Sequence, residues 1–444
     1  MKILHYSLGF PPYRTGGLVK FCMDLIETQI KHDFEVSLMW PGRINNRKKT
    51  TIIKKKNSNY NIESIELVNP QPVSLDEGIR KENIKFFIEK KEISDFIDIL
   101  EDIKPDYIHI HTLMGLPYEF ILAAKKLKIK TIFTSHDYFG ICPKVNLFYD
   151  GDVCKNNSKC EKCTICNQNA LSYKKIKLLQ SPIYRTIKNL KIIKILRKIH
   201  RRKFFSKKDN YNNVGVNYNS EYLQLRNYYI NILNEIDVIH FNSNLAKQIY
   251  SQYLDLKKFK ILNISHRDIK DNRKIREYSD KEILKITYLA SSKPYKGYNL
   301  LKEALEELWK EQDEKFVLNV YADIKEKEEF INVKGKYCYK DLENIFNNTD
   351  ILIAPSLWYE TFGYTVLEAI SYGVPVIISE NVGAKDIVGG AGIIIKSNNK
   401  NSIKEAIKNI LDNRDILKQM NKETFECKLP KLEDMFEILE ETNG

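Results

Sequence analysis

The 444-residue sequence lacks an apolar run of the ~18 residues that a bilayer-crossing helix needs, which excludes a helical membrane span. Met1 to Phe10 leads into a strand-like segment with no cleavable apolar core behind it, so a cytoplasmic address is expected. A GxGxxG dinucleotide string is absent too. The single DxD string, Asp150-Gly151-Asp152, sits among turn-forming residues and reads as a turn, not a metal motif. Disulfides are not expected in a reducing compartment, so the clustering of several of the eight cysteines needs another explanation. Disorder is excluded by composition, because 43% apolar and 11% aromatic residues suffice to bury cores.

What is present is unevenly charged. Residues 1–280 carry 49 Lys and Arg against 30 Asp and Glu, whereas the remainder carries 22 against 28. A basic half suits nucleic acid, an anionic membrane surface or a phosphorylated substrate, or is simply a lysine-rich solvated surface. The length favours two domains. Branched apolar runs alternate with stretches of helical period, the pattern of parallel sheets with crossover helices. Strands are expected at Lys2 to Gly9, Glu35 to Trp40, Asp106 to Thr112, Lys130 to Ser135 and Ile236 to Phe241, with helices at Leu18 to Lys31, Pro117 to Leu127 and from Asn244. After a charged stretch, His266 to Glu282, that reads as a linker, a second series places strands at Lys285 to Leu289, Phe316 to Tyr321, Ile351 to Ala354 and Val374 to Ile378, with terminal helices from Lys400. The expected domains are 1–268, with an insertion over 138–234, and 269–444, whose last helices can return to the first domain.

The segment ETFGYTVLE, Glu360 to Glu368, carries the most chemistry. A strand ends before it and a helix starts near Phe362 to Tyr364, so free amides of Phe362, Gly363 and Tyr364 and the helix dipole form a seat for a diphosphate. Glu368 lies one turn on, at a distance suited to a vicinal diol, and Glu360 points at whatever the diphosphate carries.

That segment resembles the Glu-x7-Glu signature of retaining GT-B glycosyltransferases, family GT4. The resemblance implies an α/β fold of two facing Rossmann-like domains with a cleft between them, and it extends to other residues. Thr15-Gly16-Gly17 is similar to the family's glycine loop near the donor diphosphate, and Lys296 to its diphosphate-binding lysine. His136 in TSHDY resembles the active-site histidine, with Asp137 beside it on the acceptor side. His109 and His111 in HIHT sit at a neighbouring strand end, with His111 expected to reach the cleft. Ser291 stands where many relatives have an arginine, so Lys293 or a residue of the other domain is a candidate second cation. The family implies His136, Glu360 and Lys296 as catalytic residues, and Gly16, Gly17, Lys296, Phe362, Gly363, Tyr364 and Glu368 as donor contacts. The donor is a nucleotide-diphosphate sugar, UDP-sugar favoured, and the acceptor a glycan or lipid-linked hydroxyl. Transfer would retain the anomeric configuration without a catalytic metal.

Two features of the insertion stand apart. Cys142, Cys154, Cys160 and Cys163, with Cys166 another x2 step on, include the CxxC half-site usual for structural zinc; free buried thiols or a redox-labile loop are the alternatives. Lys174 to Lys208 holds fourteen Lys and Arg, no acid, and interleaved Ile and Leu. It reads as a basic amphipathic helix for an anionic inner membrane face, or as a solvated arm on its own domain. The rivals to a glycosyltransferase are a sugar-nucleotide epimerase of the same architecture, a zinc-containing nucleic-acid-binding protein and a catalytically silent scaffold; no nucleic-acid partner is expected on the favoured reading.

Overall fold

The computed structural model describes residues 1–45, 51–57, 62–155, 159–188, 190–193, 195–197, 199, 220–311 and 315–441. Its N-terminal sheet uses β1 (Lys2–Tyr6), β2 (Glu35–Pro41), β3 (Thr51–Asn57), β4 (Ile62–Val68), β5 (Tyr107–Ile110) and β6 (Lys130–Ser135). A separate hairpin, β7 (Phe148–Tyr149) and β8 (Asp152–Val153), precedes the last two strands of that sheet, β9 (Val238–Phe241) and β10 (Phe259–Ile261). The order is β10-β9-β6-β5-β1-β2-β4-β3. Every pair is parallel except β3 with β4. The second sheet holds β11 (Leu284–Tyr288), β12 (Phe316–Val320), β13 (Ile331–Val333), β14 (Ile351–Ala354), β15 (Val376–Ser379) and β16 (Gly392–Ile395), in the order β13-β12-β11-β14-β15-β16. All its pairs are parallel.

The central strands are covered on both faces, as parallel sheets require, and read as continuous apolar runs for that reason. The strands absent from the sequence reading are peripheral. Among them β10 and β13 are three residues long and lie at sheet edges, where too few side chains are buried to leave a pattern. Asp150 and Gly151 turn the β7–β8 hairpin, both at positive φ (49° and 79°), which suits a two-residue turn of matching twist.

The stretch 138–234 is not all insertion. Ser220–Glu235 is the crossover helix into β9, packed on the helix Tyr118–Lys126 and burying Tyr222, Leu225, Tyr229 and Ile232. The basic segment forms the helices Tyr173–Leu179 and Pro182–Ile187. Its residues 200–208 lie outside the described residues.

The segment read as a linker is stapled down. The Arg276 guanidinium donates to the carbonyls of Phe346, Thr349 and Tyr372 at 2.9, 2.9 and 3.2 Å, at the carboxyl ends of the helices Leu342–Asn347 and Tyr364–Ser371. Arg273 donates to Thr424 O and Cys427 O. The terminal helix Glu437–Glu441 lies against the first domain, where Tyr107 Oη donates to Leu439 O (3.4 Å) and Phe436 packs on Phe34. One apolar cluster therefore runs through Ile3, Phe21 and Tyr107 into Val366, Ile370 and Ile438, crossing the boundary between domains.

Candidate active site in the interdomain cleft

The loop after β14 is braced from a segment whose sequence suggested no role. Glu360 N donates to Asn381 O, Gly383 N to Glu360 O and Ala384 N to Phe362 O, all within 2.8–2.9 Å. These bonds fix the backbone of Glu360 and leave its side chain to one job. Its Oε1 accepts from Lys296 Nζ at 2.6 Å and its Oε2 from Ser356 Oγ at 2.6 Å. Lys296 stands on the 3-10 turn Pro294–Lys296, its ammonium 5.1 Å from the Trp358 ring centroid. The pair is half-buried, each side chain 18% exposed, so a cation and a carboxylate are held ready at the cleft wall.

The helix Tyr364–Ser371 begins after Gly363, which has a φ of 113°. A Cβ there would approach Val382 Cγ1 at 3.0 Å, so only glycine lets the chain turn this tightly. The amides of Phe362, Gly363 and Tyr364 find no backbone carbonyl among the described residues. Across the cleft, Gly16 and Gly17 open the helix Gly17–Lys31. A Cβ on Gly17 would touch the Tyr364 ring at 3.4 Å, which places the glycine loop against the helix mouth.

Glu368 is buried at 2% exposure. His266 Nε2 meets its Oε1 at 3.1 Å, and its Oε2 has no partner. Tyr337, Tyr339 and Tyr364 surround it, each phenol pushed up by burial and by the Glu368 charge among others. An ion network behind His266 ties this corner to the first domain. Lys20 Nζ bridges Asp24 (2.7 Å) and Asp268 (2.6 Å), and Arg267 pairs with Glu27.

The histidines form two chains across the carboxyl ends of adjacent strands. In the first, His5 Nε2 meets Gln29 Oε1 (2.7 Å), His5 Nδ1 meets His111 Nε2 (2.9 Å), and His111 Nδ1 meets His136 Nε2 (3.3 Å). Burial lowers the pKa of every member, His5 to about 4 and His136 to about 3, so the rings are neutral. A neutral ring has one donor and one acceptor. Gln29 Oε1 can only accept, so the polarity runs outward and leaves His136 Nδ1 as an acceptor. In the second chain His240 Nε2 donates to Leu262 O, and Thr134 Oγ1 links His240 Nδ1 to His109 Nε2. The expectation for His111 is corrected here: it is 1% exposed with both ring nitrogens engaged, so it backs His136 and does not face the cleft.

His136 itself joins the domains, its carbonyl accepting from Thr361 Oγ1 at 3.0 Å. Asp137 Oδ1 accepts from Phe139 N, and burial raises its carboxyl to about 6. Lys293 reaches Asp76 on the first domain, and Tyr295 Oη points at the same carboxylate at 3.4 Å. As a second phosphate cation it would first have to leave that partner.

Cys142, Cys154, Cys160 and Cys163 lie in or against one apolar cluster, none of them in a disulfide. Among the described residues, the sets with three ligand atoms within 4.8 Å of one another are His5, Cys22, His111 and Asp24, His266, Asp268; the four cysteines do not form one. No helix among the described residues is long and apolar enough to cross a membrane.

Comparison with known proteins follows this division. Residues 268–426 match the family described as Glycosyl transferases group 1. An uncharacterised 42.6 kDa protein in the cps region of Klebsiella pneumoniae is 31% identical over 157 residues, 34% of this chain and 40% of its own length. Among solved structures, Anabaena HepE in complex with UDP aligns over 100% of this chain and 99% of its own, with a TM-score of 0.59 and 12% identity. A glycosyltransferase from Rickettsia africae ESF-5 aligns over 99% and 98% (TM-score 0.56, 13% identity), and sucrose-phosphate synthase from Thermosynechococcus elongatus over 96% and 93% (TM-score 0.54, 14% identity). The half that carries Glu360, Glu368 and Lys296 therefore matches the group 1 glycosyl transferase family, and the whole chain has the two-domain GT-B fold of glycosyltransferases of known structure.

Proposed function

We propose that this chain is a retaining glycosyltransferase that moves a sugar from a nucleotide-diphosphate sugar, UDP-sugar favoured, to a hydroxyl of a glycan or lipid-linked acceptor. The observation that carries the reading is the Lys296–Glu360 pair set beside unpartnered helix-mouth amides, opposite Gly17. The amides and Lys296 hold the diphosphate and stabilise the charge that grows on it as the glycosidic bond breaks. Glu360 turns to the sugar hydroxyls. Glu368 offers its buried, unpartnered Oε2 to the ribose, which relieves the ~1–3 kcal/mol an unsatisfied buried acceptor costs. The acceptor oxygen bonds to the anomeric carbon on the leaving-group face, and its proton passes to the departing phosphate oxygen. His136 Nδ1 accepts from a hydroxyl of donor or acceptor, with Asp137 beside it. No step in this scheme uses a metal.

Support comes from the UDP-bound HepE structure for the donor and from the cps-region relative for a role in surface polysaccharide synthesis. A panel of sugar nucleotides scored by thermal stabilisation tests the reading, since a ligand at a hundred times its dissociation constant adds ~2.7 kcal/mol. A UDP-sugar should shift the transition of the native protein and of Glu360→Gln, and only the native protein should turn it over. Formation of an epimerised sugar nucleotide without acceptor would instead support the epimerase.

The four cysteines are proposed to take one structural zinc. The donor set fits: burial pushes the Cys142 thiol up and the hydrogen bond with Cys163 brings Cys160 down, while Arg226, close to both, would offset part of a tetrathiolate's charge. The sulfurs would close on the ion as it binds. Zinc content of the purified protein decides it: one ion per chain supports the site, none with all thiols titratable refutes it. A peripheral position on an anionic inner membrane face is proposed for the basic helices, to be read by flotation on vesicles with and without anionic lipid.

A further inference from the structure

A cavity of about 810 Å³ lies beside the glycine loop, between the Gly9–Arg14 segment and the basic helices. Its walls are apolar, with Phe10, Trp40 and Val73 on the domain side and Ile176, Leu179 and Leu196 on the other. Five cations also line it: Arg14, Lys175, Arg185, Lys188 and Arg197. Burial, and then Arg185, holds the Arg14 guanidinium below its ordinary range, while burial and the three arginines do the same to Lys188. The Arg14 guanidinium makes no hydrogen bond or ion pair among the described residues. Arg185 does pair with the buried Glu66 at 2.9 Å, and Lys188 sits over the Tyr13 ring.

An apolar space lined by mutually repelling cations is costly until an anion enters it. On the same basic segment Leu178, Ile183, Leu190, Ile192 and Ile195 are each more than half exposed, so the segment that walls the cavity also presents apolar side chains outward. A phosphate alone would match the charge and leave the walls bare. A hydrocarbon alone would leave the cations crowded. The geometry points to one occupant that satisfies both: a phosphate or diphosphate ester of a long hydrocarbon chain, bound as the acceptor through a hydroxyl on the group that its phosphate also carries. This rests on the glycosyltransferase reading and gives its acceptor a chemical class.

The cavity also adjoins residues that reach the second domain. Leu75 and Glu77 line it, while Asp76 between them reaches Lys293 and Tyr295 of the second domain. The Gly9–Arg14 segment runs directly into Gly16 and Gly17 at the diphosphate seat. The anionic head is held by Arg14 and Lys188, and the hydroxyl or sugar beyond it extends toward His136.

Trp40 provides the readout, because it lines the cavity. The full-length protein is titrated with geranylgeranyl phosphate, geranylgeraniol and inorganic pyrophosphate below the critical micelle concentration, with tryptophan fluorescence followed and Trp40→Phe as the blank. The phosphate ester is expected to give a saturable change that Trp40→Phe removes, with the alcohol and pyrophosphate each at least tenfold weaker. Arg14→Gln and Lys188→Gln, confirmed folded by an unchanged melting temperature, should each weaken the ester tenfold or more. Equal binding of ester and alcohol, or equal binding by native and Arg14→Gln protein, overturns the proposal. Sugar-nucleotide stabilisation measured in parallel separates the two readings: its presence without ester binding sinks only the cavity assignment, and its absence with cation-dependent ester binding sinks only the acceptor role.

Discussion

The two sides of the cleft are built in opposite ways. On the second domain both carboxylates and the helix mouth lie within nine consecutive residues, Glu360 to Glu368, positioned by one loop with the helix behind it, and Lys296 joins them from a single neighbouring turn. On the first domain a comparable site is assembled from β1, β5, β6, β9 and the helix Gly17–Lys31, which contribute His5, His111, His136, His240 and Gln29. A local site is held by its own backbone, so substitutions in it act directly on ligand. A distributed site is held by side-chain hydrogen bonds, so a change at one end reaches the other through the order of protons.

The largest effect is expected at the local site. Lys296→Ala removes the cation beside the diphosphate seat and leaves Glu360 half-buried without its partner; donor turnover should fall by ~10²–10³, the cost of one preorganised charge-stabilising group. Steady-state rates with the best donor of the panel measure this. A rate within twofold of native would remove Lys296 from the mechanism.

Glu368→Ala comes next, and it should weaken nucleotide binding while also leaving His266 Nε2 unpartnered in a buried corner, at ~1–3 kcal/mol of stability. Isothermal titration and denaturant melts separate the two losses. Arg276→Ala should cost a similar ~1–3 kcal/mol by stripping three carbonyls of their donor, but with donor affinity unchanged. If donor affinity fell as far as in Glu368→Ala, the corner around Glu368 would not be a separate ligand contact.

At the distributed site, Gln29→Leu removes the group that orders the first histidine chain. Nitrogen NMR of the labelled rings should show His136 protonated on Nε2 in the native protein and a mixture of tautomers in the variant, with turnover lower by about tenfold and donor binding little changed. An unchanged His136 spectrum would show that the chain carries no order.

The smallest effect concerns pH. Burial raises Asp137 from 3.8 to about 6, so the native state binds more protons than the unfolded one between those values. Stability should therefore decline as pH rises from about 4 to 6, and Asp137→Asn should flatten that slope. Equal slopes in the two proteins would place the titration elsewhere.

How much of this was legible follows from the same contrast. The donor loop could be read because a strand end, a glycine and two glutamates sit at fixed spacing on one short segment. His111 was misplaced because strand periodicity gives the face of a residue but not its neighbours; only the register of β1, β5 and β6 puts His5 and His136 against its two nitrogens. That register also held the one available clue, since His5 sits opposite His109 on the adjacent parallel strand. The brace at Asn381 to Ala384 left no sequence signal, because it acts through backbone amides and carbonyls that any residue type carries.

The sequence by itself determined the alternation that makes two parallel sheets, the helix mouth at Gly363 and the charge of the basic segment, because each depends on residues close along the chain. Tertiary structure alone decided that Lys296 meets Glu360, that Gln29 sets the proton order behind His136, and that the basic helices close an apolar cavity beside the glycine loop. Those outcomes depend on which distant segments pack together, and only the folded chain fixes that.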